Sequence, residues 1–420
     1  MYQPSNNVKE KTMGYNYDDD FRKNAERCYQ TALKILKPSK KELEHGLELH
    51  ADAFVAEPYG FLPAAHVRID LYDRWLDEGL SGIELRDRYE EYILMNFIKD
   101  GSNLEAFKYV IERAGVNCIG VNAGIENNSV SELIKRLSYY TCLCDSYPEM
   151  LQRCTTPEQM LEAKRNGRFA VAFDANAVPL PGHIENLEQA LSFIRVFARL
   201  GVHMMHLTYN RRNLIGDGCA ESKDCGLSGF GRSVIEEMNQ HGVIPDVAHS
   251  SNRTAIEAAE CSKKPVVISH SASAALSDHY RCKQDEAVKA VAETGGFAGV
   301  CAYPPFLRGS GDISSMLNHI EHFVNLVGAD HVAIATDCGA SVGPLRHTQK
   351  THRSLPLFDS WWARNSELKP FEDTGEMWDS MAWTNFPLFT VGMVQRGFSD
   401  SDIRKILGEN YLRVLRETLA

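Results

Sequence analysis

The chain has 420 residues and a formal net charge of −11, with 44% hydrophobic and 24% charged residues. That balance suits a globular protein with a sizeable core. With no Lys/Arg run, it argues against nucleic acid or an anionic membrane surface as partner.

The opening "MYQPSNNVKEKTMGYNYDDDF" is polar and lacks an apolar h-region, so residues 1–20 read as a loose arm and not a secretory signal. No stretch approaches the ~20 apolar residues of a membrane span. The eleven cysteines fit no zinc or disulfide spacing, so reduced thiols and the cytoplasm are expected. From residue 21 to 420 no linker divides the chain. Apolar β-rich runs come in the order "LELHADAF" (47–54), "NCIGVN" (117–122), "RFAVAF" (168–173), "HMMHLTY" (203–209), "GVIPDVAH" (242–249), "PVVISH" (265–270), "GGFAGVCAY" (295–303) and "DHVAIATD" (330–337). Helical patterns lie between them. In "ENLEQALSFIRVFARLG", Leu187, Leu191, Ile194 and Ala198 share one face and Gly201 stands at a C-terminal cap. "GLSGFG" (226–231) reads as a turn into the helix "SVIEEMNQHG", and "SDSDIRKILGEN" as a capped helix stopping near Gly408. Eight strands alternating with helices predict one α/β domain, a closed (β/α)8 TIM barrel. No G-x-G-x-x-G turn favours an open doubly wound sheet.

The predicted strands end in His50 and Asp52, Asp174, Tyr209, His249, His270 and Asp337. In a barrel those ends meet around one site. Each alone reads as readily as a hydrogen-bonded core histidine or a helix N-cap. Together, imidazoles and carboxylates are the ligand set of a catalytic divalent metal, which activates water while a carboxylate takes its proton.

These blocks resemble the membrane (renal-type) dipeptidase family, M19, of the amidohydrolase superfamily. The resemblance runs from about residue 45 to the C-terminus, through "ELHAD", "GLSGFGRSVIEEMNQHGVIPDVAHSS", "PVVISHSAS", "HYRCKQDE", "VAIATD" and "RGFSDSDIRKILGENYLRVL". It implies a zinc-dependent hydrolase of dipeptides or similar small amides. His50 and Asp52 would bind one metal, His249 and His270 the other. Asp337 would handle the proton of the attacking water, Arg281 the substrate carboxylate, and Tyr303 would line the pocket. Read from the residues alone, Arg281 is a surface salt bridge and Tyr303 a core aromatic.

The family's bridging Glu is missing. In "VAFDANAV" (171–178) either Asn176 or Asp174 stands at that position: aligned from the strand side it is Asn176, and Asp174, the alternative metal ligand, starts roughly 6–7 Å further down the same strand face. Of one or two zinc ions, one is therefore favoured. Tyr209 stands where the founding enzymes carry a substrate-contacting His. The polar stretch 345–385 holds Trp361, Trp362, Trp378 and Trp383. It reads either as a loop over the barrel mouth or as contacts in a homodimer. Two rival functions stay open: an isomerase or tautomerase of a peptide-derived metabolite with an altered, mononuclear site, and a silent ligand-binding relative.

Overall fold

The computed structural model describes residues 12–13, 21–62, 67–80, 82–99, 104–124, 128–340 and 370–420. Eight parallel strands organise it: β1 (Ala56–Gly60), β2 (Cys118–Asn122), β3 (Phe169–Ala175), β4 (Val202–His206), β5 (Ile244–Asp246), β6 (Ile268–Ser271), β7 (Ala298–Val300) and β8 (Val332–Ile334). Strands β1 to β5 pair in sequence order as one parallel sheet, and β6 to β8 as a second. A short strand, Leu151–Arg153, adds to β3. Helices such as Leu187–Arg199, Gly229–Gln240 and Asn252–Cys261 connect them, as parallel pairing requires. Single bridges cross both seams, Asp246 with Val267 and Phe61 with Gly339.

Successive strand residues face two different cores. Ile119, Val121, Phe169, Val171, Phe173, Val332 and Ile334 join the larger cluster under the helices. Cys118, Ala170, Ala172, Met204, Ile244, Ala333 and Ala335 join a smaller one, closed by Tyr411. Both faces are buried, so the strands read as continuous apolar runs.

The β1–β8 seam is fastened by a side chain. Glu57 is fully buried, and its carboxyl accepts from Thr336 N (2.8 Å) and Tyr59 N (3.4 Å) and meets Thr336 Oγ1. Burial pushes this carboxyl up to about 8.

Two expectations need correction. "LELHADAF" is not the first strand: residues 40–52 form a helix. Ser39 and Glu42 make a capping box, with Glu42 Oε2 accepting from Ser39 N (2.7 Å), a motif that stabilises a helix start by about 1 kcal/mol. The helix lies tight against Phe386–Gln395, where a Cβ on Gly46 would stand 2.7 Å from Val391 Cα. Near Gly408 the helix breaks where the sequence places its stop: Gly408 leaves helical geometry (φ 177°, ψ −21°) at a kink, and a second helix, Asn410–Leu419, follows. Leu187 is exposed, and Phe197 takes its place on the buried face. Of the arm, Thr12–Met13 pairs with Val67–Arg68; its other residues lie outside the described ones. Among the described residues no helix is long and apolar enough to cross a membrane, and all eleven cysteines are free.

Candidate active site

The face of each strand that carries the smaller core carries the site two or four residues further on. Asp174 and Asn176 follow Ala170 and Ala172, His206 follows Met204, Asp246 follows Ile244, and Asp337 follows Ala335. Two irregularities add side chains that this alternation alone would turn away. On β1, Glu57 pairs with Ile119 but Gly60 with Val121, so the strand gains a residue around Tyr59. On β6, Ala298 pairs with Ile268 but Val300 with Ser271, so it gains one around His270. Such bulges re-aim side chains. Here they stack the rings of Tyr59 and His270, with centroids 4.2 Å apart.

The site has two halves. In the first, His249 Nδ1 lies 2.7 Å from Asn210 Oδ1, and His270 Nδ1 lies 2.9 Å from Ser269 Oγ. An amide oxygen only accepts, so Nδ1 of His249 carries its proton and Nε2 presents a lone pair. The two Nε2 atoms face each other at 3.0 Å. Asp337 Oδ2 stands 3.8 Å from His270 Nε2. Asp337 adopts a left-handed backbone (φ 57°), a strained state for a residue with a side chain. Burial pushes its carboxyl up to about 7, against the pull of Arg281, though a side chain 23% exposed also feels solvent. Burial, and then the positive charge of Arg281, hold both imidazoles well below their usual range and so neutral.

In the second half, Asn176 Oδ1 accepts from the Tyr59 hydroxyl (3.1 Å) and lies 2.6 Å from His206 Nδ1. His206 Nε2 stands 2.6 Å from Asp246 Oδ2 and 3.4 Å from Ser269 Oγ. The other Asp246 oxygen accepts from Ala248 N and Ser269 N. Burial would raise Asp246, but His206 and those hydrogen bonds hold it below its usual value. Asp174 sits below this layer, beside Met204, with neither carboxyl oxygen hydrogen-bonded among the described residues. Burial and then the Asp246 charge push it well up, so Asp174 is a neutral acid.

The structure therefore gathers His249, His270, Asp337, Asn176, Arg281 and Tyr209 in one place and leaves His50 and Asp52 out. His50 is buried on its helix, with Nδ1 against Thr390 Oγ1 and Nε2 against Ala114 O, both at 2.8 Å. Asp52 is exposed and paired with Arg404 at 2.6 Å. A helix positions neither toward the strand ends, so the expected first-strand ligand pair is absent there. Tyr209 stacks on His249 at 4.1 Å. Arg281 is fully buried: its Nη1 donates to Ala248 O, and its Nη2 lies 3.3 Å from His249 Nε2 and 3.5 Å from His270 O. Its Nε has no partner among the described residues. Tyr303 packs on Phe306 and on Trp378, at 4.5 and 5.1 Å. Trp383 belongs to the main core, against Phe169 and Phe386, while Trp361 and Trp362 lie outside the described residues.

A two-metal centre does not fit these residues. Among the described residues, no three or more His, Cys, Asp or Glu side chains stand together as a preformed ligand set, and Tyr59 and Asn176, a phenol and an amide, stand at strand ends where a metal pair would need carboxylates. A single cation fits better at the His249–His270 edge, where two imidazole nitrogens meet and each ring's other nitrogen is fixed by a polar partner.

Tyr59, His206, Asp246, Asn210 and Ser269 were missed in the sequence. Period-two counting from Met204 and Ile244 finds His206 and Asp246. The bulge that aims Tyr59 leaves no such signal.

Residues 95–353 match the family described as membrane dipeptidase (peptidase family M19). Dipeptidase tcpJ of Claviceps purpurea is 24% identical over 299 residues, covering 70% of this chain and 61% of that protein. The chain thus spans less than two thirds of that relative's length. Dipeptidase verJ of Clonostachys rogersoniana is 26% identical over 307 residues, 72% of this chain and 69% of that one. An amidohydrolase structure from Pseudomonas aeruginosa superposes with a TM-score of 0.66 at 26% identity, over 89% of this chain and 99% of that one. With the family match covering more than half of its residues, the chain belongs to the membrane dipeptidase family, M19.

Proposed function

We propose that the chain is a dipeptidase-like hydrolase that cleaves a small amide bearing a free carboxylate, on a closed (β/α)8 barrel with one zinc ion. Support for closure comes from the bridges at both seams and the Glu57 clamp. The observation that carries the metal reading is the His249–His270 pair, two Nε2 atoms held 3.0 Å apart by partners on their Nδ1 atoms. Ser269 Oγ can accept from His270 Nδ1 while Asn210 Oδ1 accepts from His249 Nδ1, an arrangement that leaves both Nε2 lone pairs available to one cation at the edge of the pair. His249 and His270 would hold zinc, with Asp337 beside them. Zinc bound there would supply Lewis acidity toward a carbonyl and toward water.

The protein's own groups do the rest. Asp337, poised near neutrality, takes the proton of the attacking water and returns it to the leaving amine. Arg281 offers its unpartnered Nε to the substrate carboxylate while its other nitrogens hold the peptide beside His249. Tyr209, Tyr303 and Trp378 form apolar walls around the scissile group. The eleven free thiols support a reducing compartment, the cytoplasm. The test is turnover of free-acid against C-terminally amidated dipeptides by zinc-loaded protein. Free acids should be the better substrates, and equal turnover would remove the Arg281 role.

One observation favours a second reading. Arg281 Nη2, 3.3 Å from His249 Nε2, is itself a donor to that lone pair. A metal-free pocket would then run proton transfer, as an isomerase or tautomerase of a peptide-derived metabolite. Protein that takes up no zinc and hydrolyses no dipeptide would select it.

A further inference from the structure

Two neighbouring cations of the chain are buried without a carboxylate against them. Residues 281–283 run extended beside 272–274, where Lys283 N donates to Ala272 O and Ala274 N donates to Lys283 O. Alternate side chains of an extended stretch share a face. Cys282 accordingly turns away, its thiol donating to Phe306 O, while Arg281 and Lys283 reach the other way from stems roughly 6–7 Å apart. Arg281 Nη1 donates to Ala248 O and Lys283 Nζ to Ser250 O, and the Cys219 thiol feels both charges. Arg281 is 0% and Lys283 1% exposed, yet among the described residues neither forms an ion pair. Asp337 and Asp246 act on them only from a distance. Leaving a buried cation unpaired is costly, so a site that keeps two of them suits an anionic ligand.

Lys283 stands in the wall of a cavity of about 330 Å³, together with Cys219, Ser250 and Ser277. That volume is enough for a small ligand. An ammonium has three donors, and Ser250 O takes one. Burial pulls Lys283 down to about 8, so it still carries its proton at neutrality. The acidic residues of the lining are already engaged. Asp278 pairs with Arg308 at 3.3 Å, Glu221 accepts from Arg212 N, and Asp224 accepts from Ser251 Oγ and Arg253 N. The cavity adjoins the metal edge, since Ser250 follows His249 and Lys283 lies two residues beyond Arg281.

We propose that this cavity is a second carboxylate subsite, in which Lys283 holds the side-chain carboxylate of a substrate whose C-terminal residue is Asp or Glu, while Arg281 holds its terminal carboxylate. The substrate class is then a dipeptide or acyl amino acid ending in an acidic residue. The proposal rests on the Arg281 reading above and narrows it. Two carboxylates of one amino acid lie a few bonds apart, a short span comparable with the spacing of the two stems. An amide side chain in the same place would leave the ammonium without a countercharge, and an aliphatic one would leave its donors unpaired, so Lys283 determines specificity.

The experiment assays the zinc-loaded full chain on alanyl-glutamate against alanyl-glutamine, in the wild type and in Lys283→Gln. The acidic substrate should have the higher kcat/KM by roughly tenfold or more, mainly through KM, and the preference should vanish in Lys283→Gln. A second arm needs no turnover: calorimetry with glutarate and with its monoamide, glutaramate. Glutarate should bind roughly tenfold or more tightly to the wild type, and the two should bind alike to Lys283→Gln. A crystal structure of the wild-type glutarate complex, which needs no variant, should show one carboxylate on Lys283 Nζ. Equal handling of acid and amide by the wild type, a preference that survives in folded Lys283→Gln, or glutarate seated away from Lys283 would overturn the proposal. If glutarate binds through Lys283 but no dipeptide is cleaved, the subsite stands and the dipeptidase reading falls.

Discussion

Replacing Glu57 with glutamine tests the seam that brings the first and last strands together beside Asp337. Glu57 is fully buried, and its carboxyl sits at about 8 against an ordinary 4.5 because burial penalises the charge. Between pH 4.5 and 8 the folded protein therefore holds a proton that the unfolded chain has lost. Folding stability is highest below that window and falls as pH rises through it. The slope is about 1.4 kcal/mol per pH unit, so the total is at most ~5 kcal/mol. That is a large part of the 5–15 kcal/mol typical of a domain. In Glu57→Gln the side-chain amide keeps a carbonyl oxygen for Thr336 N and Tyr59 N but does not titrate. Asp337 and Asp174 are raised in both proteins, so subtracting the two stability curves isolates Glu57. Urea denaturation at pH 5, 6, 7 and 8 should show the wild type losing stability relative to Glu57→Gln, by roughly 1 kcal/mol per unit. Parallel curves would refute the claim that a neutral Glu57 carboxyl fastens the seam.

Other perturbations separate structural from functional residues. His50→Ala should cost roughly 2–4 kcal/mol of stability, by emptying a packed site and orphaning the Thr390 hydroxyl and Ala114 carbonyl. It should leave zinc content unchanged, and a loss of zinc from folded protein would return His50 to the ligand set. Arg281→Lys replaces a fork that reaches Ala248 O and His270 O by one ammonium. kcat/KM should fall by roughly 10–100-fold, mainly through KM, with metal content unchanged; a pure kcat effect would contradict carboxylate binding. Asn176→Glu puts a carboxylate against His206 and Tyr59 and should raise the zinc ratio above that of the wild type. An unchanged ratio would mean that the amide is not what limits the second metal.

How legible all this was depended on where regular geometry held. Strands β2 to β8 announced themselves because both faces are buried, and Asp174, Asn176, His249, His270 and Asp337 follow from counting along them. The first strand was misplaced by a few residues. "LELHADAF" offered a His-x-Asp and a short apolar run, yet Ser39-x-x-Glu42 upstream is a capping box, and the helix it starts carries His50 away from the strand ends. The true strand, "AEPYG", holds a proline and a bulge, which hide its period and its inward Tyr59. His206 was passed over for a different reason: an imidazole on an apolar run reads as a core histidine until Asn176 and Asp246 are seen on either side of it. Trp383 went the other way, since aromatics in a polar stretch suggest a surface, whereas contacts with Phe169 and Phe386 make it core.

The central claim is that His249 and His270 hold a single zinc ion on which hydrolysis depends. Mass-spectrometric metal analysis of purified, zinc-saturated protein tests it most directly, with dipeptide turnover followed on the same samples and His249→Ala run in parallel. The account predicts one zinc per chain and measurable hydrolysis in the wild type, and neither in a folded His249→Ala. Zinc content and hydrolysis that survive His249→Ala unchanged would contradict it.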